Sequence, residues 1–200
     1  MASIDMSLVK KLREQTGVGI LECKKAIGEA NNDFEKAVEL LRKKGFEKAK
    51  SKASRATNQG AIGSYIHSNR RIGVLLELGC ETDFVAKNED FLHLQKEICL
   101  QIAAMNPKYI SEKDIPQEVI EKEKEIYREQ MKNSGKPDHI IEKIIAGKLK
   151  KFYTEVCLLQ QSYFKEEKKN IENLIAETIH KLGENITVKR FTRYQVGEDF

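Results

Sequence analysis

The chain has 200 residues, of which 40% are hydrophobic and 33% charged, a composition typical of a globular protein with one domain or two small ones. Its net charge is only +4, from 35 basic and 31 acidic residues, which argues against a dedicated nucleic-acid-binding protein. No apolar run approaches the ~20 residues of a membrane span, and Met1–Met6 show neither signal-peptide nor transit-peptide features, so we expect a cytoplasmic protein without membrane contact.

Residues 1–45 predict a bundle of three short helices. An apolar stripe that begins at Leu8 stops at two glycines, Gly17 and Gly19, and a second helix begins after them. An Asn-Asn-Asp turn then supplies an N-cap, and Gly45 is well placed as the C-cap of the third helix. A bundle of this size has a barely sufficient core, and such bundles tend to be recognition modules.

Two adjacent apolar residues, Ile20 and Leu21, begin the second helix. Because neighbours on a helix point in different directions, they cannot both face the same core position. Either one of them is left partly exposed beside the glycine turn, where it would be available to a partner, or both face the core at the start of the helix. Spacing alone does not decide between these interpretations.

A basic stretch follows the bundle, and we interpret residues 46–56 as a partly helical linker. Between Arg42 and Arg55, seven basic residues are opposed only by Glu47. A charged run of this kind is usually a solvated face, and the alternative is an RNA-binding patch.

Residues 57–200 predict an α+β domain in which helices cover an antiparallel sheet of at least three strands. Apolar runs at 60–67 and 72–79 flank a short turn and indicate a hairpin, and the alternating segment 186–196, with one slip in phase, indicates a third strand and a bulge. The other predicted elements are a helix from the Phe84 region to Asn106, a short strand at 109–110, a helical hairpin at 117–152 that breaks at 133–137, and a C-terminal module at 151–200 with a helix at 169–182.

The junction between the second strand and the following helix is the most informative stretch of the chain. Thr82 or Asp83 can cap the helix, because either side chain can accept a hydrogen bond from the first turn. Phe84 then lies at the start of the helix. Periodicity alone favours a core role for Phe84, whereas an exposed position would make it an apolar wedge that anchors a partner.

The sequence lacks the common signatures of catalysis. It contains no phosphate-binding loop and no G-x-S-x-G, H-E-x-x-H or G-x-G-x-x-G motif. The four cysteines, Cys23, Cys80, Cys99 and Cys157, are far apart and form no C-x-x-C pair, which argues against zinc and predicts buried thiols. The residues therefore favour a binding protein over an enzyme.

Four segments carry a resemblance to a known family. Residues 12–26, from Leu-Arg-Glu-Gln-Thr-Gly-Val-Gly onwards, resemble the N-terminal signature of translation elongation factor Ts, and residues 77–87, with Glu-Thr-Asp-Phe-Val, resemble its second signature. Residues 151–161 and 183–191 resemble its C-terminal module. The likeness covers nearly the whole chain in order. Two residues depart from the family pattern: Gly79 stands where asparagine is usual, and Ser162 where proline is usual.

The resemblance implies a guanine-nucleotide exchange factor for the translational GTPase elongation factor Tu, acting by binding and not as an enzyme. The N-terminal bundle would be UBA-like and dock on the GTPase domain, the Thr-Asp-Phe tip would wedge in near the Mg²⁺ and phosphate site, and the C-terminal module would touch a second domain. The partner-binding residues implied by this resemblance are Arg13, Thr16, Gly17, Ile20, Leu21, Thr82, Asp83, Phe84, Val85, Lys151, Phe152, Leu158, Leu159 and Gln160.

The same resemblance implies that the chain needs no cofactor of its own, because Mg²⁺ and GDP or GTP belong to the partner. The chain is similar to the short-form members of the family, which can be homodimers. The resemblance implies no direct contact with nucleic acid. The alternative from another functional class is an RNA- or nascent-chain-binding adaptor built from the bundle and the basic stretch.

Overall fold

The computed structural model describes residues 4–132 and 135–198 and confirms the α+β class. The helices are α1 (Met6–Thr16), α2 (Ile20–Glu29), α3 (Phe34–Lys52), α4 (Asp83–Ala86), α5 (Glu89–Met105), α6 (Gln117–Met131), α7 (Asp138–Val156) and α8 (Ile171–Leu182). The strands are β1 (Gln59–Ile66), β2 (Ile72–Cys80), β3 (Ser162–Tyr163), β4 (Glu166–Asn170) and β5 (Ile186–Gln195).

The chain divides into two compact units, each described by itself. The first unit comprises Met1–Ser64, Leu75–Glu97 and Asn173–Phe191. The second unit comprises Tyr65–Val74, Ile98–Glu172 and Thr192–Phe200.

The first unit begins with the predicted three-helix bundle. Asp5 caps α1 by accepting a hydrogen bond from the Ser7 N–H at 2.8 Å. Gly17 ends the helix in the left-handed conformation at φ 66°, and its N–H donates to the Arg13 carbonyl. Asp33 caps α3 as predicted. The small core consists of buried apolar residues, among them Val9, Leu12, Cys23, Ala26, Ile27, Ala37 and Leu41.

The predicted end of the third helix is wrong, because α3 continues through Gly45 to Lys52. Gly45 is buried in the middle of the helix, and a Cβ atom built on it would lie only 3.2 Å from Nδ1 of His180. The glycine therefore permits the close approach of a side chain from α8 instead of ending the helix. Residues 46–52, part of the segment predicted as a partly helical linker, belong to α3.

The basic residues of this helix are largely ion-paired. Lys43 pairs with Glu39, Lys44 with Glu29, Lys48 with Glu22, and Arg42 with Glu177 at 3.4 Å. These carboxylates come from several helices of the first unit. They offset the positive charge that the sequence alone displays as a run.

The sheet confirms the predicted antiparallel arrangement, with the strand order β1-β2-β5. The His67 N–H donates to the Ile72 carbonyl at 2.9 Å and closes the predicted hairpin, whose turn includes Arg70 at φ 57°. At one end of β5 the Val196 N–H donates to the Arg71 carbonyl at 2.9 Å, and further along the strand Arg190 pairs with Glu77. As the residue number rises on β5 it falls on β2, so these two strands are antiparallel.

The helix predicted after the sheet is in fact two helices. Lys87 and Asn88 lie between α4 and α5 and belong to neither helix. The Asn88 side chain accepts a hydrogen bond from the Asp90 N–H at 2.9 Å and so opens the second helix. The interruption separates the four residues of α4 from the long helix that packs against the sheet, where Gln95 donates to the Ala61 carbonyl at 2.7 Å.

In the second unit, α6 and α7 form the predicted helical hairpin, joined by a pairing of Arg128 with Glu142 at 3.4 Å. Helix α7 extends to Val156, beyond the predicted end at 152. The predicted short strand at 109–110 is a single bridge between Tyr109 and Cys157, and β3 with β4 forms a two-stranded sheet that was not predicted. Of the predicted break at 133–137, residues 133 and 134 lie outside the described residues.

Two alanine substitutions at glycines, one in the first unit and one in the second, test the left-handed conformation of Gly17. Gly17→Ala is expected to lower the free energy of unfolding by about 1–2 kcal/mol, because alanine is strained at φ 66° and its Cβ would overlap the Lys181 side chain. Gly147→Ala is the matched control: it lies on an exposed face of α7 with open space around it, so alanine should stabilise by about 0.5–1 kcal/mol. Urea denaturation of both variants measures this, and equal effects would contradict the assigned conformation of Gly17.

Candidate partner-binding site

The Thr-Asp-Phe segment forms a one-turn helix at the end of β2. Thr82 is the N-cap of α4, since its Oγ1 accepts a hydrogen bond from the Val85 N–H at 3.4 Å. The sequence left Thr82 and Asp83 as equal candidates for this role, and the structure assigns it to Thr82. We refer to residues 82–85 as the tip.

Phe84 projects from the tip into solvent with 82% of its surface exposed. The interpretation of Phe84 as a core residue is therefore wrong in this conformation. Behind it, Ala86 is buried and Val85 is half-buried, so the small side chains anchor the turn while the large one is displayed. An exposed phenylalanine at the apex of a polar turn has the character of an interface anchor.

Asp83 lies beside Phe84 and pairs with Lys87 one turn later, at 2.9 Å between Oδ2 and Nζ. The hydrogen bond from Lys87 lowers the pKa of the Asp83 carboxyl below its ordinary value, and the positive charge of Lys87 acts in the same direction. The tip therefore presents an ionised carboxylate next to an aromatic ring.

Glu184, in the turn between α8 and β5, holds the backbone on which the tip stands. Its carboxylate accepts hydrogen bonds from the Glu81 N–H at 3.1 Å, the Thr82 N–H at 3.0 Å and the Thr82 hydroxyl at 2.7 Å. In return the Glu81 carboxylate accepts from the Asn185 N–H at 2.6 Å. We call these four residues the tip clamp. In the sequence, Glu184 appears only within the segment 183–191 that resembles the family's C-terminal module, and nothing there indicates this contact.

A second group of predicted residues surrounds the turn between α1 and α2. Leu21 is 72% exposed and Ile20 is 38% exposed, so of the two interpretations that spacing left open, the one in which both face the core is wrong. Arg13 and Gly17 are also exposed, while the half-buried Thr16 donates its hydroxyl to the Leu12 carbonyl at 2.7 Å. The five residues lie together along one turn, which we call the docking turn.

The docking turn is tied to α8 through Glu22, the residue after Leu21. The Glu22 carboxylate is hydrogen-bonded to the buried ring of His180 and to Lys48. The hydrogen bond from Lys48 lowers the pKa of Glu22 most strongly, partial burial opposes this shift, and the contact with His180 adds to it. On the other side, Lys181 lies against Gly17 and pairs with Asp90 at 2.6 Å.

The third group of predicted residues lies in the second unit, at the end of α7 and in the turn after it. Lys151 is exposed, and Phe152, Leu159 and Gln160 are half-buried. Leu158 is fully buried, so its side chain packs in the core and does not form a contact surface in this conformation. The docking turn and the tip both belong to the first unit.

The described residues hold neither a cluster of metal ligands nor a membrane-spanning helix. No group of three or more His, Cys, Asp or Glu side chains in residues 4–132 and 135–198 is arranged to hold a metal ion. Within the same ranges, none of the helices has the length and apolarity needed to cross a membrane. The four cysteines are buried free thiols, and burial raises the pKa of Cys99 and Cys157 to about 11.

Comparison with known proteins gives a consistent result over the whole length. Residues 7–198 match the family described as Elongation factor TS. The protein named Elongation factor Ts from Thermosipho melanesiensis is 58% identical over 195 residues, covering 98% of this chain and 100% of the relative. Proteins of the same name from Thermotoga neapolitana and Caldanaerobacter subterraneus subsp. tengcongensis are 56% and 54% identical, each covering 98% of both chains.

The exposure of Phe84 predicts that Phe84→Ala leaves the fold stable. Its removal should change the free energy of unfolding by no more than about 0.5 kcal/mol. Leu158→Ala is the contrasting variant, because removing a fully buried leucine should cost about 2–5 kcal/mol. Urea denaturation followed by circular dichroism measures both changes in stability. A strongly destabilised Phe84→Ala protein would show that Phe84 is a core residue.

The contacts of the Glu22 carboxylate with Lys48 and His180 predict that the stability of the protein depends on pH. Because the folded-state pKa of Glu22 lies below its ordinary 4.5, its stabilising contribution is complete above pH 4.5 and is lost as pH falls through the folded-state pKa. The wild-type protein should therefore be more stable than Glu22→Gln near pH 6, and the difference should shrink on acidification. Glu125→Gln, on an exposed position of α6, is the control. A difference that grows below pH 4.5 would contradict the sign.

Proposed function

The chain belongs to the elongation factor Ts family, and we propose that it is a guanine-nucleotide exchange factor for the GTPase elongation factor Tu. It binds the GDP complex of that partner, promotes GDP release and so allows GTP to reload during translation elongation. It acts in the cytoplasm by binding, without a reaction or cofactor of its own. The observation that supports this most directly is the exposed Phe84 on a fixed tip.

The thermodynamic requirement is a difference in affinity. A protein that binds the nucleotide-free partner more tightly than the nucleotide-bound partner must weaken nucleotide binding by the same factor, because coupling between two ligands is reciprocal. Weakening GDP binding by about 10⁴-fold requires roughly 5.5 kcal/mol of differential binding. One buried phenylalanine supplies about 1.5–3 kcal/mol, so several contacts must share the effect.

We assign to the tip the difference in affinity between the nucleotide-free and the nucleotide-bound partner. Phe84 enters the nucleotide domain of the partner beside the Mg²⁺ and phosphate site, and the Asp83 carboxylate perturbs polar contacts there. Thr82 caps the turn, and the half-buried Val85 anchors the turn that carries the ring. The Mg²⁺ ion and the nucleotide belong to the partner. Because 82% of the Phe84 surface is exposed in the free protein, its burial in the complex would remove most of its apolar area from water.

We assign most of the affinity to the other two surfaces. In the docking turn, Ile20 and Leu21 present apolar area to a helix of the partner's nucleotide domain, with Arg13, Thr16 and Gly17 at its border. In the second unit, Lys151, Phe152, Leu159 and Gln160 contact a second domain of the partner. Leu158 serves this surface from the core by holding the turn that carries its neighbours.

The short chain is also proposed to form a homodimer. Ile62 of β1 and Leu75 of β2 are exposed apolar side chains of the first unit, and β1 is an edge strand of the sheet. Apolar side chains beside an unpaired strand edge favour association. Nucleic acid is not a proposed ligand, because the basic residues of α3 are largely paired with carboxylates.

Release of a fluorescent GDP analogue from elongation factor Tu tests the function. The wild-type protein should accelerate release strongly, and Phe84→Ala should lose most of this acceleration, since it loses the contact made only when nucleotide is displaced. Phe46→Ala is the matched control: Phe46 is a partly exposed phenylalanine of α3 that lies outside the tip and the docking turn. Circular dichroism verifies that each variant is folded.

The outcomes separate the proposal from its rival. No acceleration by the wild-type protein would remove the exchange-factor function for this chain. Equal loss in Phe84→Ala and Phe46→Ala would remove the special role of the tip. An RNA-binding adaptor would instead show affinity for RNA that falls steeply with salt, because phosphate contacts release counterions, whereas the apolar wedge predicts a shallow salt dependence.

A further inference from the structure

The residues of the tip cannot by themselves hold Phe84 in a fixed direction. Helix α4 has four residues, one turn, and a single turn of helix is not stable by itself in water. It has the large Phe84 side chain on its outer side and only Ala86 fully buried beneath it. If Phe84 is to displace groups of a partner, the turn that carries it must not give way. The direction of Phe84 therefore depends on contacts from elsewhere in the first unit.

Glu184 supplies three such contacts at the point where β2 ends. Its two carboxylate oxygens accept from the backbone N–H groups of Glu81 and Thr82 and from the Thr82 hydroxyl, all between 2.7 and 3.1 Å. The same hydroxyl accepts from the Val85 N–H. Through Thr82, Glu184 is therefore linked to the first turn of α4. Hydrogen bonds to an ionised acceptor are about twice as strong as neutral ones.

Glu184 is itself held in place from both sides. Gly183 ends α8 in the left-handed conformation at φ 80°, and its N–H donates to the Ile179 carbonyl at 2.8 Å. Asn185 is buried, and its side chain donates to the Arg55 carbonyl at 2.8 Å. The carboxylate that holds the tip thus stands on a turn that is anchored to α8 and to the chain after α3.

The clamp is reciprocal. While Glu184 holds the backbone of residues 81 and 82, the Glu81 carboxylate accepts from the Asn185 N–H at 2.6 Å and lies 3.5 Å from the Arg55 guanidinium. Each of the two segments supplies a carboxylate to the backbone of the other. This arrangement fixes the separation and the register of the two segments, beyond what a single ion pair would do.

We propose that Glu184 is a positioning residue for nucleotide exchange, which sets the direction and stiffness of the tip so that Phe84 displaces the partner's groups instead of being displaced by them. The inference rests on the proposed exchange function. Glu184 acts through Thr82 and does not itself need to touch the partner. Its loss should therefore leave docking intact and impair the step in which nucleotide is expelled.

The kinetic test is a titration of GDP release against exchange-factor concentration. With Glu184→Ala, the maximum release rate should fall about tenfold, since small misplacement of a working group is costly, while the half-saturating concentration should change by less than about twofold, because the docking surfaces are unchanged. Glu184→Gln keeps one acceptor oxygen and should give an intermediate rate. Glu39→Ala, which removes an exposed carboxylate that pairs with Lys43, is the matched control.

A measurement on the free protein tests the contact without reference to exchange. Amide hydrogen exchange of Glu81 and Thr82 should be faster in Glu184→Ala than in wild type, and unchanged in Glu39→Ala, because Glu184 is the acceptor of both amides. If Glu184→Ala does not fold, Thr82→Val combined with Glu184→Gln gives the same information. The pair should slow release by less than the product of the two single effects, since both variants act on the contact between the Thr82 hydroxyl and Glu184.

The outcomes are separable. If the wild-type protein does not accelerate release, the proposed function fails and the amide measurement alone still decides whether the clamp exists. If the wild type is active, Phe84→Ala is inactive and Glu184→Ala reaches the wild-type maximum rate, the positioning role is overturned while the tip is retained. A rise in half-saturating concentration at an unchanged maximum rate would likewise overturn it, because that result would assign Glu184 to docking.

Discussion

The proposed exchange function depends most on one contact, the hydrogen bonds that the Glu184 carboxylate accepts from the backbone of Glu81 and Thr82. It joins the turn after α8 to the end of β2, two segments 102 residues apart in sequence. A four-residue helix cannot hold a large aromatic side chain in solvent by its own hydrogen bonds. The exposure of Phe84 is therefore a property of the whole first unit and not of the tip sequence alone.

The same end of α8 also organises the docking turn. His180 contacts Glu22 beside Leu21, and Lys181 lies against Gly17 and pairs with Asp90. Helix α8 and the turn after it thus contact both of the first unit's proposed partner-binding surfaces. For a protein that works by differential binding, a fixed relation between a docking surface and a wedge is what converts docking affinity into strain on the partner.

Local signals in the sequence predicted most of the secondary structure. The caps at Asp33 and Thr82, the left-handed Gly17 and the strand pattern before Gly79 each act within a few residues, so spacing reveals them. Gly45 carries the same local signal as Gly17, but it lies inside α3 because His180 packs against it. A tertiary contact overrode the local preference there.

Other features had no local signal. Strand β4 is Glu-Glu-Lys-Lys-Asn, without the apolar alternation by which strands are recognised. Periodicity treats every apolar residue on a helical face as core, so it favoured burial of Phe84, which is exposed. The family resemblance implied a partner contact for Leu158, whose side chain is buried in the free protein. The role of Glu184 has no signal in the sequence, because a glutamate in a turn is ordinary. Only its contact with residues 81 and 82, far away in the chain, reveals that role.

The most direct test of the account is a photo-crosslink from the tip. With p-benzoylphenylalanine in place of Phe84, illumination of the mixture with elongation factor Tu should attach the tip to the nucleotide domain, and excess GDP should reduce the yield, because the two ligands oppose each other. The same group in place of Phe46 should give little product. A crosslink at position 46 equal to that at position 84, or a yield at 84 that GDP does not change, would contradict the assignment of Phe84 as the displacing residue.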